Sequence, residues 1–196
     1  MKDRLEKQLQ FLIEVDKMKT ILRQTILIDK SRQENNAEHS WHFALTAMIL
    51  FEYVDGSKVD ILRVLKMALI HDLVEIYAGD TFAYDESDNK SKEVREKEAA
   101  RWLFRLLPEN QGADIRSLWD EFDRMDTHDS QYAAAIDRLQ PFINNYLTQG
   151  HTWKLGNVTS DKVYQRMDMV RQTVPELWEF VELAINDCIE KGYLKG

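Results

Sequence analysis

The chain has 196 residues, one cysteine, and 26 basic against 34 acidic side chains, which gives a net charge of −8. A single cysteine excludes an intramolecular disulfide and a Cys-rich zinc site, and the acidic balance disfavours a general nucleic-acid surface. The longest uncharged stretch, residues 139–153, is shorter than the roughly 20 apolar residues that span a membrane. Because the first residues also lack the apolar core of a signal peptide, we expect a soluble, cytoplasmic protein.

Glycine and proline are scarce, at ten of the 196 residues or about 5%, against about 12% in average proteins. An all-β fold needs many tight turns, so the composition predicts an all-α fold. No linker, repeat or low-complexity tract is present, and we therefore expect a single domain over residues 1–196. Its helices are predicted at about residues 5–22, 37–53, 59–77, 99–106, 115–125 and 130–147, with C-terminal helices within 159–192. Loops are predicted at residues 79–90 and 150–160.

Two capping signatures indicate where helices begin. Asn35, followed three residues later by Glu38, predicts the start of the second helix. Thr173, followed three residues later by Glu176, predicts the start of the last helix on the same grounds.

The third predicted helix has a carboxylate in the middle of its apolar face. At about 100° per residue, Ile61 and Leu65 define that face, and Asp72 falls within it, with His71 and Glu75 at its edge. Burying an unpaired carboxylate costs several kcal/mol or more, so a positive charge must compensate Asp72. The helix leaves two candidates open: an ion pair with an arginine or lysine, or a metal ion that also binds the adjacent imidazole.

His39 favours the metal ion. It lies in the first turn of the second helix, and antiparallel packing of the second and third helices would place that turn next to His71 and Asp72. With one further oxygen ligand, two imidazoles and a carboxylate form a mixed nitrogen and oxygen site that suits a divalent transition metal. We therefore predict a metal centre between these helices.

A histidine, a His-Asp doublet and a later aspartate, in this order, resemble the pattern of the HD-domain metal-dependent phosphohydrolases. Here the pattern consists of His39, His71-Asp72 and Asp137. The surrounding segments Ala-Glu-His-Ser and His-Asp-Leu-Val-Glu are similar to those of the branch that contains bacterial 5'-deoxynucleotidases. The resemblance covers about residues 5–150, and it implies a helical HD-domain bundle with a metal site in its core and the C-terminal helices packed on it.

The resemblance also implies a cofactor, namely one divalent metal ion (Mn, Co, Fe, Ni, Zn or Mg). Its implied ligands are His39, His71, Asp72 and Asp137. On spacing alone, Asp126 and Asp129 are alternatives to the last of these ligands.

The implied activity is the release of phosphate from a nucleoside 5'-monophosphate, a deoxyribonucleotide or a similar small phosphomonoester, by attack of metal-activated water. Glu75 and Asp80 are implied as acid and base groups beside the phosphate, and the spacing of Glu75 places it on the metal-binding face of its helix. Arg32 and Arg23 are implied as substrate contacts. The nucleotidases have Arg-Trp where this chain has Arg23-Gln24, and the resemblance therefore implies no strict selection of deoxyribose.

Two other functions stay open. An HD-type di-iron oxygenase needs a second metal and further histidines between Asp72 and Asp137, where the chain has only His128. A non-catalytic helical binding module would keep a metal for folding alone. The apolar stripes of the first and last helices fit a homodimer interface, and they fit an intramolecular core equally well.

Overall fold

Helices form most of the chain in the computed structural model, which describes residues 2–196 without the side chains of residues 86–90. The α-helices are α1 (Lys2–Val15), α2 (Asn36–Ile49), α3 (Ile61–Ile70), α4 (Glu75–Ala78), α5 (Glu86–Phe104), α6 (Glu109–Arg124), α7 (His128–Leu147), α8 (His151–Leu155), α9 (Ser160–Thr173) and α10 (Trp178–Glu190). Short 3₁₀ helices cover Asp16–Thr20, Leu50–Tyr53, His71–Val74 and Pro175–Leu177. The predicted all-α class is confirmed, with one small β-hairpin as an addition.

A β-hairpin follows the first helix, which is shorter than predicted. Helix α1 ends at Val15, well before the predicted end near residue 22. Strand β1 (Leu22–Ile26) then pairs antiparallel with β2 (Gln33–Asn35), with Leu22 opposite Asn35. The β-branched residues in the second half of β1 favour a strand. The hairpin matters for the site because it brings side chains of β1 and β2 to the start of α2.

Helix α2 begins with the predicted capping box. The backbone N–H of Glu38 donates to the side-chain oxygen of Asn35 at 3.0 Å, and the backbone N–H of Asn35 donates to the Glu38 carboxylate at 3.1 Å. These two bonds satisfy donors that the start of a helix leaves without partners. The prediction is confirmed, and it fixes His39 in the first turn of α2.

The third predicted helix is divided into three pieces. After α3 ends at Ile70, a 3₁₀ turn covers His71–Val74, and α4 follows and ends before Gly79, whose φ of 79° suits a glycine at a helix end. Trp119 of α6 donates from Nε1 to the backbone carbonyl of His71 at 3.0 Å, which ties this turn to α6. Because a 3₁₀ turn has about 3.0 residues per turn instead of 3.6, the side chains beyond α3 no longer follow its α-helical phase.

The predicted helix start at Thr173 is wrong. Thr173 is the last residue of α9, and its hydroxyl lies 3.6 Å from the Met169 sulfur instead of capping a new helix. Helix α10 begins later, at Trp178, after a 3₁₀ turn. The two predicted loops are also shorter than expected, because α5 begins at Glu86 and α8 at His151.

Helix α7 is the central element of the bundle and contacts α2, α3, α6 and α9. Residues 132–136 of α7 have no exposed surface, so the helix is covered on all sides immediately before Asp137. Helix α10 packs on α9 and α7. In the described part of the chain, no helix combines the length and the apolar character that crossing a membrane requires.

Candidate metal centre

The four predicted metal ligands meet where α2, the end of α3 and α7 converge. Nε2 of His39 lies 3.0 Å from Oδ1 of Asp137 and 3.8 Å from Oδ2 of Asp72. Nε2 of His71 lies 3.2 Å from Oδ2 of Asp72 and 3.5 Å from Oδ1 of Asp137. One potential ligand atom from each of His39, His71 and Asp72 lies within 4.8 Å of the other two. The structure thus brings together all four side chains.

Both imidazoles are held through their Nδ1 atoms. Nδ1 of His71 lies 3.0 Å from the backbone carbonyl of Ala68, which can only accept a hydrogen bond. Nδ1 of His39 lies 2.8 Å from Oε1 of Gln140, whose Nε2 donates to Glu34 at 3.0 Å and so fixes the orientation of the amide. Each imidazole therefore donates through Nδ1 and directs Nε2 at the carboxylates, the orientation that metal-ligating histidines adopt.

This arrangement requires a positive charge between the imidazoles and the carboxylates. With Nδ1 protonated, a neutral imidazole presents a lone pair at Nε2, and a carboxylate oxygen presents another. Nε2 of His71 is buried and has no hydrogen-bond partner among the described residues, although Asp72 Oδ2 is only 3.2 Å away. Two imidazole nitrogens and two carboxylates are a donor set for a divalent transition metal. The residues therefore fit the ion that the sequence pattern implies.

The pKa values of these side chains also indicate that the cluster needs a positive charge. Burial alone would lower the pKa of His71, but the carboxylates of Asp72 and Asp137 raise it to about 10. Burial would raise the pKa of Asp137, yet the imidazoles of His39 and His71 beside it hold this pKa well below its usual value. The carboxylates thus favour the ionised form, and they need either protons on the imidazoles or a metal ion beside them.

Arg23 of β1 supplies further positive charge. Its Nη1 lies 2.7 Å from Asp72 Oδ2 and 3.9 Å from Asp80 Oδ1, and its side chain is only 13% exposed. Burial would lower the pKa of Arg23, but Asp72 and Asp80 raise it above its usual value. The negative charge of Asp72 therefore has both partners that the sequence left open: an arginine, and imidazoles placed for binding a metal ion.

Glu75 and Asp80 border the same cluster. Glu75 is 5% exposed and accepts a hydrogen bond from Nδ2 of Asn36 at 2.5 Å. Burial, together with the carboxylates of Asp72 and Asp80, raises the pKa of Glu75 well above its usual value. Burial likewise raises the pKa of Asp80, against the opposing charge of Arg23. The site thus contains two carboxyl groups that bind protons more readily than ordinary ones.

Arg32, the other arginine predicted as a substrate contact, pairs with a carboxylate outside the cluster. Its half-exposed guanidinium forms a bidentate ion pair with Glu38, at 2.8 and 2.5 Å. Arg32 precedes β2 at the turn end of the hairpin, and so its nearness to His39 in sequence does not bring it to the site. Arg23, on the paired strand, occupies the position beside the cluster.

The acidic alternatives to Asp137 lie elsewhere. Asp126 pairs with Arg124 at 3.0 Å. Asp129 accepts a hydrogen bond from the backbone N–H of Asp60 at 2.8 Å, and it precedes Asp137 by eight residues, or about 12 Å along a helix. Asp137 is therefore the acidic residue of this segment that faces the two histidines.

A cavity of about 150 Å³ opens onto the cluster. Its charged lining residues are Asp72, Glu75, Asp80, Asp137, Arg23, Lys92, Arg138 and Arg166. Lys92 of α5 lies 3.5 Å from Glu96, one turn further along the helix. The cavity thus presents carboxylates at the metal ligands and cations around them, an arrangement that suits a metal ion together with an anionic ligand.

Comparison with known proteins identifies the family. Residues 15–178 match the family described as HD domain. The chain belongs to the HD domain family. Human 5'-deoxynucleotidase HDDC2 is 27% identical over 136 residues, which are 69% of this chain and 65% of the human protein. The Xenopus laevis protein of the same name is also 27% identical, over 69% of this chain and 66% of its own. The chain thus aligns with slightly less than two thirds of the length of these relatives.

Solved structures confirm the helical HD-domain fold. A Magnetospirillum magnetotacticum MS-1 protein, described as a predicted metal-dependent phosphohydrolase, superposes with a TM-score of 0.92 at 46% identity and covers 99% of this chain and 100% of its own. A conserved hypothetical protein from Pyrococcus furiosus has a TM-score of 0.60 at 20% identity, over 93% and 99% of the two chains, and is similar in fold alone.

Four residues around this HD-domain site are not predicted from the sequence. They are Glu34, Asn36, Lys92 and Gln140. Gln140 follows Asp137 by three residues, a spacing that places both on one helix face, and this signal was available. Lys92 lies just after the predicted loop. Glu34 belongs to the hairpin and Asn36 to the first turn of α2, and neither segment has a hydrophobic periodicity that would indicate a site. Gln140 is the most informative of the four, because it bonds directly to His39.

We expect Gln140→Leu to lower the affinity for Co²⁺ by about 10–100-fold, the usual effect of removing a hydrogen-bond partner of a metal-ligating histidine. The physical reason is that Nδ1 of His39 loses its acceptor, so the ring orientation is no longer fixed. Titration with Co²⁺, followed by visible absorption, measures the change. Asn144→Leu is the matched control, because Asn144 is also a buried amide of α7 but its side-chain oxygen has no hydrogen-bond partner. Equal losses in both variants would contradict the role of Gln140.

Proposed function

We propose that the chain is a metal-dependent phosphohydrolase that releases phosphate from nucleoside 5'-monophosphates, deoxyribonucleotides among them. The observation that carries the proposal is the pair of buried imidazoles whose Nε2 atoms face Asp72 and Asp137. These two carboxylates line a cavity that Arg23 and Lys92 also line. A metal ion with two cations nearby suits a doubly charged phosphate ester. Membership of the HD domain family and the similarity to proteins named 5'-deoxynucleotidases support the same activity.

One divalent ion is held, in this proposal, by His39, His71, Asp72 and Asp137. When bound, such an ion lowers the pKa of water and offsets the negative charge of a phosphoryl oxygen. The Nδ1 hydrogen bonds of both histidines keep their Nε2 atoms in place for it. The donor set accepts Mn, Co, Fe, Ni, Zn or Mg, and phosphate release measured with each metal in turn decides among them.

Arg23 and Lys92 bind the phosphate group. The Arg23 guanidinium has five N–H donors and uses one nitrogen, Nη1, on Asp72, so other donors remain for phosphate oxygens. Lys92 adds a point charge from α5, and its pKa is raised because Glu96 and Glu75 outweigh the opposing effect of burial. The two cations hold the ester where the carboxyl groups of the cavity can act on it.

Glu75 and Asp80 move the protons. As a water oxygen bonds to phosphorus and the ester P–O bond breaks, the departing alcohol oxygen needs a proton and the water must lose one. Glu75 holds a proton because its pKa is raised, and Asn36 orients the carboxyl group that donates it. Asp80 is the base that takes the proton from the water. The products are the free nucleoside and inorganic phosphate.

Two observations bear on the choice of nucleotide. The names of the relatives, 5'-deoxynucleotidases, point to deoxyribonucleotides. Gln24 lines the cavity, and the resemblance to the bacterial nucleotidases would place a tryptophan there. A polar amide can hydrogen-bond to a ribose hydroxyl, which a tryptophan ring at this position would cover. We therefore propose that both sugars are accepted.

The alternatives are less well supported. Among the described residues, the only group of three or more acidic, histidine or cysteine side chains placed for a metal is His39, His71 and Asp72. His128 is exposed at the start of α7, nine residues before Asp137, so it adds no ligand for a second iron. A purely structural metal would not require two further carboxyl groups in the cavity, and Glu75 and Asp80 are both present there.

We also propose that residues 1–196 form one cytoplasmic domain that assembles as a homodimer. Cys188 is a buried free thiol, which fits a reducing compartment. Helix α1 has no buried residue, and Leu5, Leu9 and Leu12 are each at least half exposed. Leu183 of α10 is similarly exposed, at 64%. Burial of these apolar side chains between two copies accounts for their pattern.

Light scattering during size-exclusion chromatography tests the dimer. We expect twice the chain mass of 23.1 kDa, and we expect Leu9→Glu to return the mass to that of a single chain, because a charge at the centre of an apolar interface is costly to bury. A wild-type mass of one chain would contradict the homodimer.

We expect the metal-loaded chain to release phosphate from ribo- and deoxyribonucleoside 5'-monophosphates, with each of the six metals tried in turn. Arg23→Ala should lower kcat/KM by about 10²–10³-fold, as the loss of one donor to a developing charge does in other enzymes. Arg32→Ala is the matched control and should leave kcat/KM unchanged, because Arg32 pairs with Glu38 outside the cavity.

Glu75→Gln separates catalysis from a structural metal site. Hydrolysis should collapse while the melting temperature and the amount of bound metal stay unchanged, because glutamine keeps the shape but cannot donate the proton. Absence of phosphate release with every metal and nucleotide would overturn the proposed function, and full activity of Glu75→Gln would overturn the role of Glu75.

A further inference from the structure

The cavity over the metal ligands is too small for a whole nucleotide. It measures about 150 Å³, whereas pockets that enclose drug-sized ligands measure about 300–1,000 Å³. A groove of about 390 Å³ lies beside it, and the two share Ala83, Tyr84, Arg138 and Arg166 as lining residues. The groove therefore continues the cavity outward. A substrate larger than its reacting phosphate would extend along this groove.

Two arginines, Arg138 of α7 and Arg166 of α9, line both the cavity and the groove. The Arg138 guanidinium donates from Nη1 to the backbone carbonyl of Ala134 at 2.8 Å and from Nη2 to the sulfur of Met125 at 3.2 Å. The Arg166 guanidinium lies 6.0 Å from the ring centroid of Tyr84. Among the side chains that the structure describes, neither arginine forms a salt bridge with a carboxylate. Within this described part of the chain, both keep N–H donors that no acceptor uses.

Asp137 directly precedes Arg138 in the chain, but among the described side chains its carboxylate forms no salt bridge with that arginine. The Asp137 carboxylate is already engaged by two imidazoles of the metal centre. Arg23, in contrast, faces both Asp72 and Asp80. Among the side chains that the structure describes, the residues shared by the cavity and the groove thus carry an excess of positive charge, with two arginines and no carboxylate.

A second phosphate group is the ligand that matches this excess. Guanidinium groups bind phosphate oxygens through parallel N–H donors, and such charge-assisted bonds are among the strongest in proteins. A guanine base can also accept two hydrogen bonds from an arginine, but a neutral base would leave both charges of Arg138 and Arg166 uncompensated. The charge of the lining therefore favours an anion over a base.

We propose that Arg138 and Arg166 form a second anion subsite, which binds a phosphate carried by the alcohol part of the substrate. The preferred substrates are then phosphomonoesters with two phosphate groups, such as nucleoside bisphosphates. The reacting phosphate lies at the metal centre, and the second phosphate lies at the two arginines. Tyr84, which lines both cavities, provides an aromatic surface for the nucleoside. The assignment of the reacting phosphate rests on the proposed function, whereas the subsite is a binding property that can be measured without turnover.

The test compares deoxyadenosine 5'-monophosphate with deoxyadenosine 3',5'-bisphosphate on the metal-loaded protein. Both kcat/KM and the calorimetric affinity should favour the bisphosphate by about tenfold or more, the value of one charge-assisted hydrogen bond. Arg138→Gln and Arg166→Gln should each bring this preference close to one. Thermal melting verifies that both variants fold. If Arg138→Gln does not fold, Arg166→Gln alone provides the test.

Arg105→Gln is the matched control. Arg105 also lies over an aromatic ring, that of Trp102 at 4.8 Å, but it lines neither the cavity nor the adjoining groove. The bisphosphate preference should stay unchanged in this variant.

Equal affinities of the wild-type protein for the two nucleotides would overturn the subsite, and so would a preference that both arginine variants retain. If the variants alter only inhibition by inorganic phosphate, the arginines bind free phosphate, and the proposal is wrong. If they alter only the choice between deoxyguanosine and deoxyadenosine 5'-monophosphates, the arginines read the base, and the proposal is also wrong. If no nucleotide is hydrolysed, the proposed function fails, and the calorimetric comparison still decides the subsite.

Discussion

The burial of two carboxylates, Asp72 and Asp137, at the junction of three helices is the constraint on which the rest of the structure depends. An uncompensated charge in this position would cost several kcal/mol. Three side chains provide nitrogen atoms for it: Arg23 at 2.7 Å from Asp72, His71 at 3.2 Å from the same carboxylate, and His39 at 3.0 Å from Asp137. Because both imidazoles donate through Nδ1, their Nε2 atoms are left for a proton or a metal ion.

Departures from regular helical structure bring these groups together. The capping box at Asn35 fixes the first turn of α2 and hence His39. Trp119 ties the 3₁₀ turn over His71–Val74 to α6. Because of this turn, the side chains of the His-Asp doublet do not continue the helical repeat of α3. The β-hairpin brings Arg23 against Asp72 from a part of the chain that precedes both helices. Regular helices thus form the bundle, while the irregular segments set the positions of the charged groups.

The sequence was sufficient to predict the helical class, the HD-domain resemblance and the residues that converge, because a carboxylate on an apolar helix face conflicts with the pattern around it. It was not sufficient where position depends on tertiary structure. Arg32 is near His39 in sequence, yet the hairpin turns it toward Glu38, whereas Arg23 reaches the cluster through strand pairing. The contact between Gln140 and His39 joins residues of two different helices, and helical spacing alone does not predict it.

The most direct test is the location of the metal ion by anomalous X-ray scattering from crystals of the Co²⁺-loaded protein. We expect one ion per chain, about 2.0–2.2 Å from Nε2 of both histidines and from an oxygen of each aspartate. The Nδ1 bonds of His39 and His71 to Gln140 and Ala68 should persist. A chain that takes up no ion at this junction, or that binds one elsewhere while protons alone neutralise the carboxylates, would contradict the proposed metal centre.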